Sequence, residues 1–333
     1  MTHRHARLRQ PLHHRLHQQA AKLPSPMGGL ALAIASLGWT LENVFPAAGG
    51  KLQLLGSIIA AALLLPLSAK FVLHPKLLKE ELSHPVLGSV IPTYAMALMV
   101  VSRCLSDYFA AAGESLWLVA VSLHLGFLAT FCFHRYRNFS LDHMVPSWFV
   151  PPIGIIVAAV AFPPHGPRLL AETLLWFGMI AYLIMLPLML YRLIFRTAVP
   201  EAAQPTLAIL AAPASLSLAG YLSLIPTPSV VIVALLLTVA ILMTSIIYLA
   251  FFHLLRLPFS PGFAAFTFPM VIGATALFKT CHWLAQMEAP GTLVTAVHHL
   301  AVTELAVAVA VVSFVSFKYL AHYFPQGAKA AHQ

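Results

Sequence analysis

The chain has 333 residues, of which 60% are hydrophobic and only 9% charged, with a formal net charge of +9 and a mean hydropathy of +0.85. Soluble domains carry roughly a quarter charged residues, so these charges are too few to coat a soluble globule. A soluble enzyme is thereby excluded, and an all-α polytopic membrane protein remains. The excess of Lys and Arg speaks first to orientation in a lipid bilayer, and no nucleic-acid partner is read from it.

Residues 1–23 form a basic, His-rich stretch. The apolar run after Pro26 continues to Phe45, longer than the core of a signal peptide. The stretch is therefore expected to be a mobile cytoplasmic tail. Its histidines match no metal-ligand spacing, so no metal and no cofactor is expected. Ten apolar segments follow, at roughly 27–46, 52–73, 86–109, 116–134, 146–162, 169–195, 205–225, 229–254, 262–286 and 293–322. Each is close to the ~20 residues that a bilayer span needs. Together they make one transmembrane domain over 24–324, with a short cytoplasmic tail at 325–333. Cys104, Cys132 and Cys281 are scattered and read as small apolar core residues.

Proline recurs inside alternate segments, at Pro92, Pro152, Pro213 and Pro269, separated by 60, 61 and 56 residues. That spacing is the length of one helical hairpin. Five hairpins in the same orientation predict a quasi-fivefold arrangement around a central pore, with the proline kinks facing it. Pro66 and Pro187 in the other segments keep open the reading that membrane helices simply tolerate proline.

Fifteen of the nineteen Lys and Arg residues fall on one side of a ten-span topology, in the N-terminal stretch and alternate connections. Lys51, Arg103, Arg168 and Lys279 fall on the other. This bias places both termini in the cytoplasm of a cell inner membrane.

Four stretches carry a family likeness: LENVFPAA (Leu41 to Ala48), SHPVLGSVIPTYAMAL (Ser83 to Leu98), MVPSWFVPPIGIIVAA (Met144 to Ala159) and FTFPMVIGATALFK (Phe266 to Lys279). In that order they resemble the tellurite-resistance/dicarboxylate transporter family, which includes bacterial TehA and the slow-type anion channels of plants. The resemblance implies a homotrimer, ten helices per subunit and five inner kinked helices around one pore in each. It also implies a phenylalanine plug in the ninth helix, and Phe268, just before Pro269, is the matching residue. Phe263 and Phe266 lie close by, and a packing role for all three is the competing reading.

Charges inside spans are functional candidates by default. Lys279 lies 10 residues after Pro269 and Arg103 11 after Pro92, at equivalent outer ends of their helices. There they would attract anions to a pore mouth, or snorkel to the headgroups. Glu42 and Glu304 are expected to make interhelical hydrogen bonds or ion pairs, and Glu172 to be interfacial. Gly88, Gly154, Gly220, Gly273, Thr93 and Ser217 are candidate pore-lining or close-packing residues.

The leading function is an anion channel or channel-like transporter whose partners are inorganic or small organic anions. The alternative is a coupled secondary carrier for dicarboxylate, sulfite or tellurite-type anions. No catalytic residues are proposed: the chain has neither an HExxH zinc motif nor a GxxxxGK[ST] nucleotide loop.

Overall fold

The computed structural model describes residues 12–323. The start of the expected N-terminal tail and the expected tail at 325–333 lie outside the described residues. Within them every regular element is helical: α1 (Leu12–Ala21), α2 (Met27–Leu41), α3 (Lys51–Leu73), α4 (Pro75–Ser83), α5 (Leu87–Ser106), α6 (Ala110–Arg137), α7 (Pro146–Val160), α8 (Arg168–Phe195), α9 (Glu201–Leu224), α10 (Val230–Leu254), α11 (Pro261–Gln286) and α12 (Gly291–Tyr323). Among these, eight are long and apolar enough to cross a membrane, α3, α5, α6 and α8 to α12, while α2 and α7 are shorter apolar helices. The protein is a multi-pass membrane protein.

The helices divide into an inner and an outer set. The most apolar windows of α5, α9 and α11 are 72%, 83% and 78% buried, against 28% to 39% for α3, α6, α8, α10 and α12. The outer helices expose large side chains such as Leu65, Leu183, Leu249 and Phe252. In lipid such a surface carries no hydrophobic penalty, and helices associate by close packing instead. The contact of α2 with α3 is an example: a Cβ at Gly38 would collide with the Leu52 carbonyl, and one at Gly56 would come within 2.7 Å of the Ile34 carbonyl. Only glycine lets these two backbones approach.

The alternating prolines mark changes of helix type. Pro92 opens the regular part of α5 after the short turn Leu87–Val90. Pro213 is the second residue of the regular part of α9, after a 3₁₀ stretch over Glu201–Ala211. Pro269 is the third residue of the regular part of α11, after the 3₁₀ stretch Pro261–Phe266. Proline has no N–H to donate, and in the first turn of a helix none is needed. In α7 two adjacent prolines, Pro151 and Pro152, break the helix into 3₁₀ and α fragments that end at Val160. Pro66 and Pro187, by contrast, lie inside uninterrupted outer helices.

One polar device recurs at the C-terminal end of each outer helix. A side chain near that end reaches the chain where it enters the preceding inner helix. Lys70 Nζ donates to the Leu23 carbonyl at 2.8 Å, Arg135 Nη2 to Ser83 at 2.5 Å and Arg192 Nη2 to Asp142 at 3.0 Å. His253 Nε2 lies 3.4 Å from Gln204 Oε1, and the Tyr319 hydroxyl donates to the Pro261 carbonyl at 2.5 Å. Each contact ties the two helices of a hairpin, and all but that of His253 also satisfy a main-chain carbonyl where the inner helix begins. Lys70 is the most elaborate case. It also bonds Ser25 Oγ at 2.9 Å and pairs with Glu81 at 2.6 Å, and Ser25 donates to the second Glu81 oxygen at 2.5 Å. Glu81 comes from α4, an amphipathic helix in a stretch read from sequence only as a basic connection.

Part of the expected mobile tail is also structured. α1 lies along α3, with the His17 and His74 rings 4.1 Å apart and His74 Nε2 2.9 Å from the His17 carbonyl.

Candidate functional site

The inner helices surround a narrow cavity of about 50 Å³. Residues from five alternate segments line it: Pro26 and Gly29 before and in α2, Thr93 and Met96 in α5, Phe149 and Gly154 in α7, Pro213 and Leu216 in α9, Phe268 and Pro269 in α11. The wall is almost wholly apolar, and the Thr93 hydroxyl in it is turned back to the Val90 carbonyl at 2.8 Å. Such a lumen holds no group that would bind a small ion tightly.

Of the residues singled out from sequence, Phe268, Pro213 and Pro269 line the cavity directly. Pro92 and Pro152 stand behind their neighbours Thr93, Ile153 and Gly154, which do. The three phenylalanines of α11 separate cleanly. Phe263 and Phe266 pack on each other at 4.8 Å, and Phe266 packs on Phe251 at 5.6 Å, so both serve the protein core. Phe268 alone of the three reaches the cavity. Phe149 of α7 is a second phenyl ring in the wall that sequence reasoning missed, backed by Tyr182 at 6.0 Å. Its signal was its place in SWFVPP, just before the double proline. Among the small-residue candidates Thr93 and Gly154 line the cavity, whereas Gly88 and Gly220 allow close packing on Leu82 and Ile156.

Arg103 and Lys279 lie off the cavity, toward the C-terminal ends of α5 and α11. At 1.5 Å per helical residue, Lys279 is about 16 Å along α11 from Phe268. The two cations converge on one indole: the Arg103 guanidinium carbon and Lys279 Nζ are each 5.9 Å from the Trp39 ring centroid. An electron-rich aromatic face attracts both charges and holds two otherwise repelling groups together. Arg103 is also paired with Asp107, which accepts from Gln53 Nε2 at 3.4 Å. Between this cluster and the cavity the Thr40 and Thr275 hydroxyls bond to each other at 2.7 Å. Trp39 had no distinguishing mark in the sequence, since tryptophans are common at span ends.

The acidic residues divide. Glu42 accepts from the Leu52 and Gln53 amides at 2.8 and 3.3 Å, capping the positive end of α3 as an interhelical bond should. Glu172 pairs with Arg168 at 2.7 Å at the start of α8. Glu304 departs from expectation: it is 3% exposed, yet its Oε2 makes no hydrogen bond, and it takes part in none of the ion pairs among the described residues.

The geometry agrees with comparison to known proteins. The family model described as SLAC1, voltage-dependent anion channel, matches residues 23–320, nearly the whole described chain. The chain belongs to this anion channel family. It is the family that the four sequence stretches resembled. Two relatives from Methanocaldococcus jannaschii, both named uncharacterized transporters, are 32% identical over 151 residues and 28% identical over 160. The first match covers 41% of this chain and 44% of that protein, the second 43% and 45%. The match thus spans less than half the length of either relative. SLAC1-family proteins are of the channel and transporter type.

Proposed function

We propose that this SLAC1-family protein conducts small inorganic or organic anions through a pore in each subunit, gated by Phe268. The observation that carries the reading is the apolar cavity to which α2, α5, α7, α9 and α11 all contribute and which Phe268 lines. In this reading α2 and α7 also cross the membrane, despite their short regular parts. The ten helices then form five parallel hairpins in quasi-fivefold order around the cavity. The hairpin ties at Lys70, Arg135, Arg192, His253 and Tyr319 support it, because they recur once per hairpin at matching places.

An apolar ring in a narrow lumen disfavours a hydrated ion and so closes the path without binding the ion. Arg103 and Lys279 stand at the outer end as fixed positive charges that raise the local anion concentration. Both termini are cytoplasmic, and the subunits assemble as a homotrimer in the cell inner membrane. The test is anion flux into liposomes reconstituted with the purified full chain, using chloride, nitrate, sulfite and a dicarboxylate as separate probes. Flux that saturates and requires an opposing ion gradient would favour the coupled carrier.

A further inference from the structure

A second, smaller space lies outside the central cavity, between α9, α10, α11 and α12. It is too narrow to admit a water molecule. Ser215, Thr244, Gly273 and Glu304 are the polar or exposed-backbone residues in its wall. The Ser215 hydroxyl already donates its hydrogen bond to the Ala211 carbonyl at 3.1 Å. Thr244, 2% exposed, has no partner for its hydroxyl, and neither does Glu304 Oε2. That oxygen faces the bare backbone of Gly273 so closely that a Cβ there would collide with it.

The groups that face Glu304 cannot neutralise a carboxylate. From α10 come Thr244 and the Tyr248 hydroxyl, which is itself buried without a partner. α9 and α11 present Ser215, Leu218, Ala276 and Leu277. α2, which also packs on α12, presents Leu37 and Leu41. Lys279 of α11 is turned to Trp39. On α12 itself, His298 faces Phe278, and the His298 and His299 rings lie 6.4 Å apart. An ionised carboxyl with no cation beside it and no hydrogen bond to its Oε2 is strongly disfavoured in such surroundings, whereas the neutral acid is tolerated.

We propose that Glu304 is a proton-binding site. The carboxyl carries a proton while α12 is seated against Gly273, and release of that proton to solvent leaves a carboxylate that must be hydrated. Hydration requires space that the packed helices do not provide, so α11 and α12 separate at Gly273. Gly273 lies four residues after Pro269 and five after Phe268 on the same helix. A displacement there moves the segment that lines the central cavity. The coupling to conductance rests on the anion-conducting reading, while the proton site itself does not.

The experiment pairs infrared spectroscopy with flux on the full chain in phosphatidylcholine liposomes. At neutral pH the wild type should show the carbonyl stretch of a protonated carboxylic acid, lost on alkaline titration and missing in Glu304→Gln. A neutral-pH spectrum without that band, or a band that survives in Glu304→Gln, overturns the site. Gly273→Ala provides a second variant should Glu304→Gln not fold: its new methyl group must shift the band, and an unshifted band also overturns the site. In chloride flux the wild type should change over the pH range in which the band titrates, while Glu304→Gln stays at the wild type's acid-pH level. Flux in Glu304→Gln that still follows pH as in the wild type overturns the coupling. Absence of flux in both proteins sinks the anion-conducting reading, and the infrared band then decides the proton site by itself.

Discussion

His124 and Pro151 are joined across the boundary between the outer and inner helices: His124 Nε2 lies 2.8 Å from the Pro151 carbonyl. His124 belongs to α6 and is fully buried, and Pro151 belongs to the break in α7. A carbonyl accepts only, so Nε2 carries the proton and donates. Pro151 lies one turn before the change from the α fragment Val150–Ile153 to the 3₁₀ fragment Gly154–Ile156, and the buried imidazole serves its carbonyl there.

Replacing His124 should therefore weaken the fold locally at α7. We expect His124→Phe to destabilise the protein by about 1–3 kcal/mol, the usual cost of a buried acceptor left unpaired, and His124→Gln to recover part of it. Denaturant titration in detergent micelles checks this, and equal stability of His124→Phe and wild type would refute the role.

Phe268→Ala should raise basal anion conductance and keep the preference for anions over cations, because the ring occludes without binding the ion. Phe266→Ala and Phe263→Ala, whose rings pack in the core, should instead lower the amount of folded protein, as loss of a buried aromatic costs about 3–5 kcal/mol. Bilayer recordings of well-folded protein decide between plug and packing. A Phe268→Ala protein no more conductive than wild type would remove it as the gate.

Arg103 and Lys279 should act through charge. Replacing both by Gln is expected to lower anion conductance most at low ionic strength, where the screening length grows to tens of ångströms. Trp39→Leu, which removes the shared aromatic face, should have a smaller effect of the same sign. Conductance unchanged at both low and high salt would return the pair to a purely structural position.

The buried pair Lys70–Glu81 anchors the start of α2 through Ser25. Lys70→Met leaves the Glu81 carboxylate without its main partner and should cost about 3–5 kcal/mol. The double variant Lys70→Met/Glu81→Leu should recover much of this, since it removes the stranded charge. A double-mutant cycle by chemical denaturation measures the coupling.

His84 lies outside the spans, just before α5, and its Nδ1 accepts from the Val86 and Leu87 amides at 3.2 Å each. Partial burial, and then the positive charge of Arg135, hold its pKa below the ordinary 6.5. The unfolded chain therefore binds a proton more readily than the folded one. The stabilising contribution is fully present above pH 6.5 and is lost as pH falls through the lower folded value. Stability measured from pH 8 down to pH 5 should fall less steeply in His84→Asn than in wild type. Parallel curves would show that His84 does not contribute.

The sequence by itself determined the membrane class, the places of the apolar segments and the distinction between inner and outer helices. These depend on composition, on segment length and on proline spacing, all local properties of the chain. It also placed Glu42 in an interhelical bond, because an acid beside the first turn of the next helix has a partner within reach. Other properties were decided only by the tertiary structure. Helical periodicity reports facing positions where one face is polar, but in these helices both the lipid face and the packed face are apolar. For that reason Phe268 could not be separated from Phe263 and Phe266 by pattern, and Phe149 went unnoticed. The meeting of Arg103 and Lys279 on Trp39 joins three helices far apart in the chain, and no local rule encodes it. Glu304 illustrates the same limit most sharply. Whether a membrane-buried carboxyl finds a partner depends on which residues of other helices face it, and here they are Ser215, Thr244, Tyr248, Gly273 and apolar side chains.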